Sequence, residues 1–547
     1  MNSFIDILRD PDNIKIMTED TPFRFEEGAA NEVNVKLDFT VKNNALFVII
    51  EPTTEKVKWI RLRWHGDFSK VRSVWHDGFE RGDHMYVADT TWSALRPQEM
   101  MPWNFAVLTL NNVLHCYGVK TGVNSFCYFQ CDRSGITLWI DVTNGSGGFS
   151  PKEPFVATEI VCQKGVEGEI PYRAMQKFCK VMCDKPNLPK EPVFGFNNWY
   201  WAYGKTNQDE VLNEAKFLSS LCSGDFPSKP YMVMDDGWQI DCRKGYNGGP
   251  WDRTNDRFPS MQKMAEDINK AGCKAGVWIR PLLTHDNVPD EAIYQSNFTK
   301  NGNVLDPSHP YTIQKVSQDI SRIHDWGFDL IKHDFTTTEI FGRGNIPTLS
   351  WPGMLNPLDY PAVSEMFDKT RTNAQIIRDF YRAIQNAAKG SVVIGCNTIG
   401  HLVSGIHEVQ RVGNDTSGRV YELTVRNGIH AMMRMPQNET FFRLDADCAA
   451  FTDMVPAKFN LDFLEAMAIT GTTTFASVFP GILKEKEAQR MSEIFRIAAT
   501  IKSSGFATVE DWDRTSAPAE FMYCGKLKIY DWWQHYDGAR LFMDWFK

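Results

Sequence analysis

Long apolar runs are missing from this sequence of 547 residues: no stretch of about eighteen consecutive hydrophobic residues occurs, which excludes a helical membrane span. Cysteine is sparse, 12 in all. Only Cys127 with Cys131 and Cys179 with Cys183 are closely spaced, neither with a matching partner motif, so buried free thiols are expected rather than a disulfide framework. Neither charge sign dominates: 59 Lys plus Arg against 68 Asp plus Glu gives −9, a mild acidic excess that speaks against a broad phosphate-tracking surface. Arg61, Arg63 and Lys70 around Trp59 and Trp64 read as one decorated, solvated sheet face. No run is followed by a Rossmann or P-loop glycine pattern, and Gly342-Arg343-Gly344 has neither the spacing nor the helix that such a pattern needs. No G-x-S-x-G occurs, and Ser404 in HLVSG lacks the strand-elbow-helix context of a hydrolase serine. The opening MNSFIDILRD carries acidic residues and no apolar segment of signal-peptide length; a cytoplasmic chain is expected, although a secreted or periplasmic protein stripped of its leader would begin in the same way.

What is present is ordinary globular material, 43% hydrophobic and 23% charged, long enough for two or three domains. Aromatics are plentiful, with 17 Trp, 36 Phe and 16 Tyr. They fit a ring-packed core or a cleft that stacks on flat apolar ligand faces such as sugars, and composition does not separate the two.

From about Asn31 to Val142 the pattern is of short alternating runs: Val33–Phe39, Leu46–Ile50, Ile60–Trp64, Phe105–Leu110, Val113–Val119, Phe126–Phe129 and Ile136–Val142. Asn43-Asn44 and Asn111-Asn112 sit between paired runs as hairpin turns. A helix is predicted over Tyr172–Met182, and the prolines of Cys183–Pro192 mark a boundary. Beyond it the rhythm becomes strand then helix. The runs are Val193–Asn197, Tyr231–Asp235, Ala275–Arg280, Phe328–Asp334, Val392–Cys396, Glu408–Gly413, Phe441–Asp445 and Thr473–Val478. Helices are predicted at Gln208–Ser220, Met261–Ala271, Thr312–Trp326, Asn373–Ala388, Val420–Met433, Leu461–Ile469 and Glu485–Ile501, while the link between the fifth and sixth runs is too short for one. The predicted fold is a multidomain α/β chain: an N-terminal β-sandwich (1–185), a central (β/α)8 TIM barrel (186–504) and a small C-terminal β-domain (505–547) holding Leu527–Tyr530, Leu541–Phe546, Trp532, Trp533 and Trp545.

Several barrel runs end in polar or ionisable residues, the edge on which such barrels carry their chemistry: Asn197-Asn198, Asp235-Asp236, Arg280, Asp334, Asp415, and Asp445 with Asp447. Asp334 closes FDLIKHD, with Lys332 two residues back on the same side of the strand; a nearby ammonium would favour the ionised carboxylate that a nucleophile needs. Asp415 in QRVGNDTSG follows Gly413 and precedes a helix start. It reads as an N-cap or as a general acid whose proton affinity is raised by low solvation near a second acid. Together the two suit acetal cleavage, one attacking or stabilising the anomeric carbon and the other protonating the leaving oxygen. Asp235-Asp236 before Gly237-Trp238 could hold neighbouring hydroxyls while the indole covers an apolar face; a turn is the alternative, as is a divalent metal site, for which His285 and Asp286 offer no motif.

GFNNWYWAYG, MVMDDGWQ, AGVWIRP, LIKHD and RVGND, spread between Phe194 and Gly481, resemble the retaining α-galactosidase-type glycoside hydrolases. More narrowly they resemble glycoside hydrolase family 36, of the clan shared with families 27 and 31. The resemblance implies Asp334 as nucleophile and Asp415 as acid/base. It also implies Asp235 and Asp236 as ligands of the sugar's 4- and 6-hydroxyls, Trp199 and Trp238 near the pocket, Lys332 on sugar hydroxyls, Arg411 just before the acid/base and Cys396 in the motif after the fifth strand. Members commonly have an N-terminal β-sandwich and a small C-terminal β-domain, often form oligomers, and need no cofactor or metal. This chain departs from the pattern where W-x-E-P gives way to Arg280, where His333 and Phe335 flank Asp334, and where Cys396–Gly400 keeps only part of the usual motif. Arg280 is expected either to meet an acidic or modified substrate or to pair with a neighbouring acid. The expected function is a retaining exo-acting α-glycosidase, α-galactosidase-like, with a glycoside substrate and no nucleic-acid or membrane partner. The alternatives are a transglycosidase of the same family, an inactive carbohydrate-binding barrel and a metal-dependent barrel hydrolase.

Overall fold

The computed structural model describes residues 4–21, 33–78, 91–93, 103–242, 245–296, 299–341 and 364–530. Gly342–Gly344, Leu541–Phe546, Trp532, Trp533 and Trp545 lie outside them.

Two antiparallel sheets come first. One orders Asn13–Thr18, Val57–His65, Gly135–Asp141 and Phe126–Asp132. The other orders Leu37–Lys42, Ala45–Ile50, Phe155–Lys164, Val113–Val119, Phe105–Leu110, Val71–His76 and Thr91–Ser93. Ile60, Leu62, Trp64 and Leu138 of the first meet Leu46, Val48, Leu108 and Tyr117 of the second in one buried cluster. Asn43, Asn44, Asn111 and Asn112 all have positive φ, the backbone of the two-residue hairpin turns that asparagine tolerates. Of the face expected to be solvated, Lys70 is exposed and Arg61 half-buried, but Arg63 is internal. Arg63 is buried and donates to Asp132 Oδ1 at 2.7 Å and Thr137 Oγ1 at 3.1 Å, and Trp59 and Trp64 are buried on opposite sides of their strand.

The eight predicted barrel runs all form parallel strands, in the order Phe194–Asn197, Tyr231–Met234, Lys274–Ile279, Leu330–His333, Val392–Gly395, Val409–Arg411, then Arg443–Asp445 with Cys448–Phe451, and Thr474–Val478. The seventh is broken in two. Arg443–Asp445 pairs with the sixth strand and Cys448–Phe451 with the eighth, and the eighth pairs back to the first, which closes the barrel. The break is at Asp447, whose φ is 65°. Inside, Val193, Tyr231, Val233, Leu330, Ile394, Val409 and Phe475 fill the lower layers.

Outside lie the helices Gln208–Leu221, Met261–Lys270, Pro310–Asp325, Asn373–Ala387, Tyr421–Arg434, Ala457–Thr470 and Glu485–Ser504. Asn207 and Thr372 close capping boxes at the first turns of two of them. Between the fifth and sixth strands only Gly400–Val403 is helical. The N-terminal sheets fill that gap: His401 Nε2 donates to Val119 O at 2.8 Å, and Phe105 meets Phe441 edge-on. The last of the described residues form a three-stranded sheet, Thr508–Val509, Glu520–Tyr523 and Lys526–Ile529, anchored to the barrel where Trp512 Nε1 donates to Met433 O. Among the described residues no helix is long and apolar enough to cross a membrane.

Glu214 lies buried on the first barrel helix, receiving Trp201 Nε1–H at 3.2 Å, and burial pushes its carboxyl up to about 8. The native state therefore holds a proton that the unfolded chain releases near the ordinary glutamate value, so stability falls as pH rises through that window and is lowest above it, by about 1.4 kcal/mol per pH unit. Asp141, pushed up to about 6 by burial, contributes a loss of the same sign at lower pH. Glu214→Gln is expected to gain on the wild type steadily between pH 5 and about pH 8 in denaturant unfolding and to level off above it; a constant difference across that range contradicts this account.

Candidate active site

The C-terminal ends of the barrel strands gather the ionisable residues, and the pairing among them differs from what strand periodicity suggests. Asp334 extends the fourth strand, its N–H donating to Ile279 O at 3.0 Å. The half-buried carboxylate accepts Phe335 N–H at 2.7 Å and Trp278 Nε1–H at 3.3 Å. Lys332 does not serve it. Its ammonium donates to Asp235 Oδ2 at 2.8 Å. Interior layers of such a barrel are built from alternate strands, so Lys332 of the fourth meets Asp235 of the second, whereas Asp334 lies about 6–7 Å further along its own strand. Burial works against the Lys332 ammonium, yet Asp235, Cys396 and Asp447 hold it well above the ordinary lysine value.

Asp235 is held from all sides. Oδ2 also accepts Asn197 Nδ2–H at 2.8 Å, Oδ1 accepts Asp236 N–H at 2.9 Å, and its own N–H donates to Asn198 Oδ1. Asp236 is half-buried, and Gln239 Nε2–H reaches its Oδ1 at 2.8 Å. Burial pushes this carboxyl up to about 7. Of the two adjacent acids, Asp235 is the buried one with a cation partner and Asp236 the more exposed.

Trp238 does not line the mouth. It is 0% exposed, donates Nε1–H to Trp278 O at 2.9 Å, and packs against Trp251 and Trp326. Trp199 is half-buried beside Tyr203, ring centroids 5.7 Å apart. Arg280 is not presented to a ligand either. Its guanidinium donates to Glu339 Oε1, with Nε at 2.7 Å, to Asn247, and to Thr299 Oγ1 at 2.7 Å, and it lies 4.1 Å from the Phe335 ring centre. Glu339 is 0% exposed and also faces Ser296 Oγ at 3.3 Å. The acid expected at the third strand thus stands in the helix Thr336–Phe341 after the fourth, with the arginine in its place.

Arg411 is buried at the end of the sixth strand. It contacts Asp447 Oδ2, Asp415 Oδ1 at 3.1 Å, Asp445 at 4.0 Å and Cys396 Sγ at 3.7 Å. Its side chain is 1% exposed, and its contacts are with these acids and the thiol. Cys396 is likewise buried, its N–H donating to His333 O. Asp415 differs from expectation: its side chain is 47% exposed and meets a guanidinium, rather than lying in a poorly solvated pocket. Gly413 earns its place there, since a Cβ would collide with Asn427 Oδ1. Three participants were not singled out from the sequence: Trp278, Glu339 and Tyr200, whose hydroxyl donates to Asp447, an acid named at its strand end but given no role. For Tyr200 the Tyr within NNWYW was the available signal.

Among the described residues no group of three or more His, Cys, Asp or Glu side chains is placed to hold a metal ion. His285 pairs with Asp241, and Asp286 with Lys315.

No family model matches the chain. Solved structures share its fold. The α-galactosidase TtGalA of Thermus thermophilus, in complex with p-nitrophenyl α-D-galactopyranoside, has a TM-score of 0.58 over 91% of this chain and 99% of its own, at 15% identity. The family GH36 α-galactosidase AgaB of Geobacillus stearothermophilus reaches 0.59 over 86% of this chain and 67% of its own, at 14% identity. The galactosidase domain of the α-galactosidase–sucrose kinase AgaSK gives 0.57 over 90% and 72%, at 15% identity.

Removing one partner of the buried Arg280–Glu339 pair strands a charge. Glu339→Gln is expected to lower unfolding free energy by about 3–5 kcal/mol, measured by denaturant titration. A loss below about 1 kcal/mol contradicts the pairing described.

Proposed function

We propose that this chain is a retaining exo-acting α-glycosidase, α-galactosidase-like in its substrate. One observation carries the reading: in a barrel of the α-galactosidase fold, the fourth and sixth strand ends present two partly exposed carboxylates, Asp334 and Asp415, while the buried cations near them each have a buried acid partner.

In this mechanism Asp334 attacks the anomeric carbon, its carboxylate oriented by Trp278 Nε1–H and Phe335 N–H. Asp415 gives its proton to the departing oxygen, then takes one from the water that releases the sugar. Double displacement retains configuration and calls for a carboxyl separation of about 5–5.5 Å. Asp236 receives a sugar hydroxyl, and the exposed part of Trp199 lies against an apolar sugar face. The Thermus relative is seen with p-nitrophenyl α-D-galactopyranoside and with stachyose, so terminal α-galactosides are the substrates to try first. The division into 1–185, 186–504 and 505–547 belongs to the same proposal, the outer two supporting the barrel that holds the site.

Nuclear magnetic resonance of the first product formed should show the α-anomer, and a first-formed β-anomer would contradict the mechanism. Asp334→Ala should abolish turnover, and Asp415→Ala should cost about 10²–10⁴-fold on unactivated substrates. Near-wild-type turnover by Asp334→Ala on every substrate the wild type cleaves would remove the reading. A carboxylate accepts stronger hydrogen bonds from hydroxyls than the neutral acid. With Asp236 ionising at about 7, KM is therefore expected to fall as pH rises through neutrality, and Asp236→Asn should raise KM and flatten that dependence.

A further inference from the structure

Asp447 sits at the break of the seventh strand, in left-handed backbone, with its side chain buried in the barrel mouth. Its Oδ2 accepts from the Tyr200 hydroxyl, the Arg411 guanidinium and Thr416 N–H at 2.9 Å, and the Thr416 hydroxyl lies 3.1 Å from it. Two of these residues flank Asp415. Arg411 lies four residues before it and contacts its carboxylate, and Thr416 is the residue immediately after it. Thr416 is further tied to the seventh strand by its hydroxyl, which donates to Cys448 O at 2.8 Å. One carboxylate oxygen therefore clamps the segment on both sides of Asp415 to a neighbouring strand.

We propose that Asp447 is a positioning residue for Asp415: it fixes the Asp415 loop in the mouth and draws the Arg411 charge onto itself. This role rests on the glycosidase reading above. A guanidinium beside a carboxyl favours its ionised form and would leave a general acid without its proton. Arg411 is closer to Asp447 than to Asp415, so most of that field is met by Asp447. The charged and titratable groups around the Asp415–Arg411 contact come from every strand end packed there: Asp447 and Asp445 of the seventh, Cys396 of the fifth, Lys332 of the fourth, and Tyr200 after the first. Of these, Asp447 is the group that touches both Arg411 and the residue next to Asp415.

Asp447→Asn keeps the size of the side chain and the tolerance for left-handed backbone while removing the charge. Its kcat/KM is compared with that of the wild type on two probes, 2,4-dinitrophenyl α-galactoside, whose leaving group needs no proton, and an alkyl α-galactoside, whose leaving group does. The loss on the alkyl glycoside should be about 10²-fold and exceed the loss on the dinitrophenyl glycoside by about thirtyfold or more, because acid catalysis contributes about that much only where a proton must be supplied. The alkaline limb of the alkyl-glycoside profile should move to lower pH. Should Asp447→Asn not fold, Tyr200→Phe withdraws one donor from the same oxygen and should produce a smaller loss with the same substrate selectivity. Equal losses on both probes, or a selective loss with no movement of the alkaline limb, would overturn the positioning role. A wild type inactive on both would overturn the glycosidase reading and this role with it.

Discussion

The mouth of this barrel depends on the pairing of buried charge. Lys332, Arg411 and Arg280 each carry a cation into a region shielded from water, where an unpaired charge is costly, and each meets a specific acid: Asp235, Asp447 and Glu339. Every pair joins two elements. The second strand is tied to the fourth, the sixth to the seventh, and the third to the helix that follows the fourth. Such pairs add little net stability beside an apolar core of the same volume, but they hold the strand ends in fixed register. Three other acids of the mouth, Asp334, Asp415 and Asp236, are only partly buried, and Asp415 shares the Arg411 guanidinium with Asp447.

The closure of the barrel and the placement of its polar floor come from one feature of the chain. The seventh strand changes partners at Asp447: three residues pair with the sixth strand, a kink follows, and four pair with the eighth. The kink turns a carboxylate inward at the point where Arg411, Tyr200 and the Asp415 loop meet. The gap left by the short helix Gly400–Val403 is covered by the N-terminal sheets, so those sheets complete the barrel wall behind the fifth and sixth strands.

Much of this was legible in the sequence because strands and helices announce themselves by period and by caps. All eight barrel runs and the seven long helices lie where alternation and 3.6-residue spacing put them, and the asparagine pairs turn as expected. Side-chain partnership was not legible. Lys332 lies on the same side of its strand as Asp334, yet layer stacking across alternate strands gives it to Asp235. Trp238 follows two acids in a pattern that a sugar platform would share, but nothing in that pattern tells a core indole from an exposed one; Trp251 and Trp326, distant in sequence, bury it. Arg280 reads as an oddity until Glu339, 59 residues on, appears beside it. Asp447 was legible as a strand-end acid beside Asp445, but its partners Arg411, Tyr200 and Thr416 come from other elements and were not.

The most direct test of the account is to trap the intermediate. Incubation with a 5-fluoro-α-galactosyl fluoride, which forms a glycosyl-enzyme faster than it releases one, followed by peptide mass spectrometry, should show one sugar added to the chain and locate it on Asp334. An adduct on another carboxylate would move the nucleophile elsewhere. Rapid release of fluoride with no adduct at any time would contradict the covalent mechanism.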